Sequence, residues 1–194
     1  MVQAPVPAAV RNEHRWELIE EETERLADAG LVTVDSTRAL YDDRGLRERV
    51  REATGIDQLW RSFFASRLTT TPPLTRGIAD LVVRTVARPQ ADRRFAADLE
   101  SRGFRSVTRR DERTVDLGGR RGRATRFSAE IPVPVESAPS VGVDAWLAIW
   151  GRPTDMLVAG GIYPVEPLRV EGGDDLFAPP GEYRNEVLEL VRAV

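Results

Sequence analysis

Nine arginines, Arg102, Arg105, Arg109, Arg110, Arg113, Arg120, Arg121, Arg123 and Arg126, fall within 25 residues that hold only three acids, Asp111, Glu112 and Asp116. A guanidinium presents a planar fork of donors that matches carboxylate and phosphate oxygens, so such side chains sharing one face would bind anions, nucleic-acid phosphates among them. Arg109, Arg110, Arg120, Arg121 and Arg123 are the candidates for that role, grouped about the Gly118-Gly119-Arg120-Arg121-Gly122 turn. The whole-chain charge of −3 and pI near 5.4 argue against a generally basic surface. A solvated strand face is the plainer reading of this run, and we favour it.

A second constellation is apolar. In the stretch 141–150, Val141, Val143, Ala145, Leu147 and Ile149 alternate onto one side, while Trp146 and Trp150 stand on the other. Gly160 and Gly161 follow in the next strand-like stretch, where missing side chains let a ligand or a neighbouring segment approach the backbone. Trp146, Trp150, Gly160 and Gly161 would together wall a pocket for an apolar or planar ligand. The same pattern also describes ordinary core packing with crowding relieved by glycine, which weighs more heavily because aromatic side chains are mostly packing.

The rest of the catalytic repertoire is thin. The chain contains no Cys and no Lys, and a single histidine, His14, in a polar N-terminal stretch. Thiolate, Schiff-base and Lys-dependent phosphate chemistry are thereby excluded, and no Gly-x-Ser-x-Gly elbow accompanies the histidine. Acidic clusters occur at Glu20-Glu21-Glu22 with Glu24, at Asp42-Asp43 and at Asp174-Asp175, but none has the spacing of a calcium loop. They read as solvated surface. A carboxylate-dependent hydrolase or transferase, with or without a divalent metal, would need two such acids converging in one concave site with Arg nearby. No catalytic residue, metal ligand or cofactor is singled out.

The elements that position these groups follow from periodicity and turn chemistry. With 194 residues, 41% hydrophobic and 30% charged, the chain is expected to form one domain over residues 11–194 behind a flexible segment 1–10. Trp16, Ile19, Thr23 and Leu26 recur at helical spacing within 11–28, so a helix is preferred there over a rival strand from Trp16 to Leu26. Short strands at 31–34 and 38–41 would pair across an Asp35-Ser36-Thr37 turn, followed by a helix over 44–53 with Asp42 or Asp43 as N-cap and Gly55 closing it. The period of 57–71 is ambiguous between helix and strand, and Pro72-Pro73 must end it. Residues 77–86 are aliphatic and of undetermined type. The pattern of Ala91, Phe95 and Leu99, closed by Gly103, is the clearest helix. Strands around 107–117, 126–135, 141–150 and 156–163 then form a meander before a final helix at 182–194. The fold class is α+β with a mainly antiparallel sheet.

The stretches 60–73 and 95–163, notably Phe95-Ala96-Ala97-Asp98-Leu99, Asp144-Ala145-Trp146-Leu147-Ala148-Ile149-Trp150 and Ala159-Gly160-Gly161-Ile162-Tyr163-Pro164, resemble uncharacterised haloarchaeal proteins. The Lys-free, Arg-rich composition is similar to that of products of GC-rich genomes. This resemblance implies no activity. The order of helix, antiparallel meander and closing helix also resembles the PsbP-type α/β/α sandwich, in architecture alone. No stretch reads as a signal peptide or a membrane span, so a cytoplasmic domain that binds a protein partner or a small ligand through its sheet is the leading expectation. The partner is unspecified, membranes are not expected, and the Arg-rich hairpin keeps nucleic acid or another anion as an alternative.

Overall fold

Seven strands pair into one antiparallel sheet. The computed structural model describes residues 3–28, 33–73, 88–117, 121–134, 140–151, 155–168 and 175–194, with the backbone alone at 27, 28 and 121. The strands are β1 (Trp16–Asp28), β2 (Thr33–Asp43), β3 (Ser62–Thr71), β4 (Arg105–Asp116), β5 (Arg121–Pro132), β6 (Ser140–Gly151) and β7 (Asp155–Pro164). The helices are α1 (Ala8–Asn12), α2 (Arg44–Thr54), α3 (Arg88–Ser101) and α4 (Pro180–Arg192). Strand order across the sheet is β1-β2-β3-β7-β6-β5-β4. Two meanders, β1 to β3 and β4 to β7, therefore join edge to edge where β3 pairs with β7, and β1 and β4 are the free edges.

Register assigns the two faces. Leu147 opposes Gly160, which in turn opposes Phe64, while Trp146 opposes Gly161, which opposes Phe63. The first face, with Phe64, Phe127, Leu147, Ile149 and Val158, is covered by α3, whose Phe95 ring lies 5.5 Å from Phe64 and 5.3 Å from Phe127. The second face, with Trp146 and Tyr163, is covered by α4, whose Tyr183 lies 6.3 Å from Tyr163. Burying both faces explains why β6 and β7 are apolar on both sides rather than alternating with polar residues.

The capped helices match their local signals. Asp43 accepts a bond from the Leu46 amide at 3.1 Å as N-cap of α2, and Gly55, at φ +75°, ends it in the left-handed conformation. Gly103, at φ +91°, does the same after α3, and the last strands and final helix fall where periodicity places them.

The N-terminal third departs from expectation. Residues 16–28 form strand β1 and not a helix: Trp16 is buried, but Ile19 is 42% exposed, so the helical-spacing residues make no common stripe. Pairing along β2, from Trp16 opposite Asp43 to Asp28 opposite Thr33, outweighs the weak helix preference of a Glu run. The expected turn at Asp35-Ser36-Thr37 is instead the middle of β2, because the inward hydroxyls find partners across the strands. Ser36 Oγ lies 2.9 Å from Ser66 Oγ, and Thr37 Oγ1 lies 3.4 Å from Thr23 Oγ1. These strands are as long as those of the second meander, not short. The ambiguous 57–71 stretch resolves as β3. Within the segment 1–10 expected to be flexible, Ala4, Val6 and Val10 are buried in the core. Leu31 and Val32, and the aliphatic 77–86, lie outside the described residues.

Candidate functional site

Where α3 crosses the first face it does not fill the space over β1, β2 and β3, and a cavity of about 290 Å³ remains. That is the volume of about ten water molecules at about 30 Å³ each. Its floor and walls are apolar: Phe64, Leu68, Leu147, Ile149, Met156 and Val158 from β3, β6 and β7, with Phe95 from α3 and Leu26 and Val34 from the first hairpin. Polar groups sit toward the mouth. Glu22 and Glu24 come from β1, Arg38 from β2, and Gln90, Arg94 and Asp98 from α3, while the Ser36 and Ser66 hydroxyls are paired with each other in the wall.

One end of this cavity is tied shut by ions. Arg38 Nη2 donates to Asp98 Oδ2 at 3.1 Å, and Arg102 donates to the same oxygen at 3.2 Å and to Glu20 Oε2 at 2.8 Å. Two acids and two bases thus link α3 to β1 and β2 with no net charge. Arg38 also lies over the Phe64 ring at 5.8 Å. Further along the mouth Glu22, Glu24 and Arg94 are exposed and, among the described residues, take part in no hydrogen bond or ion pair. A half-open apolar cleft with a few charged groups at its rim is the usual anatomy of a small-molecule site.

A family model described as a domain of unknown function, DUF6517, matches residues 3–194. The chain belongs to this family. No curated protein and no solved structure matches it. No helix among the described residues of the DUF6517 domain is long and apolar enough to cross a membrane, and no group of three or more His, Asp or Glu side chains among them is placed to hold a metal ion.

The tryptophans and glycines singled out from sequence do meet in the DUF6517 sheet, where both tryptophans are buried. Trp146 is 1% exposed and Trp150 3%. The Trp146 indole donates to Tyr163 Oη at 2.9 Å, and burial pushes the Tyr163 hydroxyl up to about 12. The room left by Gly161 is taken by Val187 of α4, whose methyls would lie 3.1–3.2 Å from an added Cβ. Gly160 faces the other way, under the Phe64 ring. The sheet glycines therefore admit neighbouring segments, and the open volume lies on the opposite side of the sheet from Trp146.

Among the described residues, several arginines of the run are paired with acids. Arg109 pairs with Asp92 at 3.1 Å and Glu112 at 2.8 Å, and Arg123 pairs with the same Glu112. Arg110 donates to Ser128 Oγ at 2.7 Å. Arg126 bonds Asp111 at 2.5 Å and Asp144 at 3.1 Å, and Arg113 lies 5.4 Å over the Trp146 ring. Arg120, and the side chain of Arg121, lie outside the described residues. Asp92 and Asp144 come from α3 and β6, and Arg102 is answered by Glu20 and Asp98, so counting charge within 102–126 omits most of the acids that answer these arginines.

A buried charge cluster at the α2 end of the sheet was not legible beforehand. Arg61, 1% exposed, donates to Asp43 Oδ2 at 2.8 Å and is sandwiched between Trp16 at 5.1 Å and Tyr183 at 4.8 Å. Its Nη2 lies 2.6 Å from Glu186 Oε2 but out of hydrogen-bonding line, so Nη2 and Nε have no aligned acceptor. Burial pushes its basicity down. Asp42 beside it is fully buried; Oδ2 accepts from Arg47 at 3.2 Å while Oδ1 has no partner. His14 and Glu13 are exposed, and Asp175 of the last acidic cluster, itself exposed, accepts from the Leu168 and Phe177 amides, both at 3.1 Å.

Burial raises the Asp42 carboxyl from 3.8 to about 6, against the opposing pull of Arg47. The folded state thus holds this proton more tightly than the unfolded chain. The stability it contributes is present below about pH 4 and is lost as pH rises through 6. At about 1.4 kcal/mol per pKa unit the charged form costs about 2–3 kcal/mol at neutral pH. Asp42→Asn is therefore expected to be the more stable protein at pH 7.5, with the advantage shrinking as the pH falls to 4. Urea denaturation of both proteins at three pH values checks this; an Asn variant that is less stable at pH 7.5 would reverse the assignment.

Proposed function

We propose that this domain binds a small amphipathic organic molecule in the cavity between α3 and the sheet. The observation that carries the reading is that volume of about 290 Å³, apolar inside and charged at its mouth. Four strands of the sheet and the first strand of the hairpin contribute to its lining, so the site sits on rigid elements. The role is binding rather than catalysis: the lining side chains offer Ser, Glu, Asp and Arg, and the two hydroxyls are engaged with each other and not with a base. The Lys-free, Arg-rich composition favours a GC-rich, haloarchaeal-type source.

A neutral, environment-sensitive dye such as N-phenyl-1-naphthylamine tests this without presupposing the natural ligand. Saturable fluorescence enhancement at one site per chain is expected. Ala91 lines the mouth from α3 and is half-buried, so Ala91→Trp should occlude the cavity without disturbing the core, and dye affinity should fall at least tenfold. Equal binding by wild type and Ala91→Trp would place the dye elsewhere and remove the support for this reading.

A further inference from the structure

We infer that the molecule held in this cavity carries a positive charge on an apolar body, an organic ammonium ion of modest size. This rests on the cavity reading above and concerns the chemistry of the occupant. Among the described residues three acids and two bases line the site. Arg38 and Asp98 spend their charge on each other and on the Glu20 and Arg102 side chains. What remains unanswered is Glu22, Glu24 and Arg94. Glu22 opposes Arg38, and Glu24 opposes Ser36, in the β1–β2 register, so the two carboxylates are alternate residues on the cavity side of one strand. Arg94 lines the same site from α3.

Two carboxylates fixed side by side on a paired strand repel each other, and a single cation between them relieves both; an anion there would meet two like charges. An ammonium head at the mouth lets the body pass inward to Phe64, Phe95, Leu68 and Met156. It is sized by the volume: a straight chain of about eight carbons displaces the contents of a space holding about ten waters. Arg94 lowers the preference without inverting it, because two unpaired negative charges face one positive.

Three molecules with one body separate head from tail: octylammonium, octanol and octanoate, titrated calorimetrically below micellar concentrations at low salt and pH 7. Octylammonium is expected to bind about fivefold tighter than octanol, with octanoate weakest, since each exposed ion pair contributes less than about 1 kcal/mol. In Glu22→Gln/Glu24→Gln, substitutions at exposed positions that should leave the fold intact, octylammonium should lose its advantage and bind no tighter than octanol, since Arg94 remains at the mouth. The preference in wild type should also fade as salt is raised. If all three bind alike, or octanoate binds best, the cationic class is wrong while the cavity reading stands. If none binds and N-phenyl-1-naphthylamine also fails, both readings fall.

Discussion

Replacing Arg61 by alanine is expected to destabilise the domain by about 3–5 kcal/mol, a loss seen as a large drop in the urea midpoint. The magnitude comes from what is left behind. Asp43 is buried, and its Oδ2 loses the only guanidinium that reaches it at 2.8 Å. An unpaired buried carboxylate costs several kcal/mol, far more than a typical exposed ion pair returns. Trp16 and Tyr183 also lose the planar cation packed between them at 5.1 and 4.8 Å. Because the penalty lies in the orphaned acid, a second change should relieve it. Asp43→Asn keeps a side-chain oxygen for the Leu46 amide at the start of α2 but removes the charge. The double variant Arg61→Ala/Asp43→Asn should therefore be less destabilised than the two single losses added, by about 1 kcal/mol or more. Strict additivity would mean that Arg61 acts by packing alone.

Gly160→Ala is expected to lose about 3 kcal/mol, although it adds one carbon. A Cβ at this position would run into the backbone carbonyl of Trp146 and sit 2.9–3.0 Å from two atoms of the Phe64 ring. The carbonyl belongs to β6 and cannot yield without opening the central ladder, so relief must come from separating strands in the best-buried part of the sheet. A control at Gly55 isolates this cause. Nothing lies within 4 Å of an added Cβ there, and only the positive φ of 75° opposes it, so Gly55→Ala should cost about 1 kcal/mol. Thermal or urea unfolding of the two variants side by side should rank Gly160 well above Gly55. Comparable losses would show that close approach at Gly160 is not what requires glycine. The same collision explains why this Gly-Gly pair is not an opening for a ligand: Phe64 and Val187 already use the room.

The parts of the fold that were legible are those whose cause is local. Gly55 and Gly103 end helices because a left-handed residue terminates the hydrogen-bond ladder within one turn. Asp43 caps α2 through an amide three residues on. The alternation of residues 141–150 assigns Trp146 and Leu147 to opposite faces whatever they pack against, and the register agrees. β1 was not legible, because its glutamates suit a helix as well as an edge strand, and only the presence of β2 alongside decides between them. Ser36 and Thr37 looked like a turn for the same reason: their partners, Ser66 and Thr23, lie on other strands.

Sites were harder to read than elements. The arginine run invited an anion-binding reading only while Asp92 and Asp144, on α3 and β6, were out of view. The cavity assembles Glu22, Arg38, Phe64, Phe95 and Val158, positions spread through most of the chain with no motif linking them. Arg61, Asp43 and Glu186 come together only once α4 lies against the sheet.

By itself, then, the order of residues determined the class of fold, the caps, the alternation of the last strands and the chemistry that is missing, because each depends on backbone geometry or side-chain type over a few positions. The pairing of β3 with β7, the helices on both faces, the gap beneath α3 and the ion pairing of the arginines were decided in three dimensions. These depend on which distant surfaces meet, and burial and charge pairing are set by the neighbours a residue acquires rather than by those beside it in the chain.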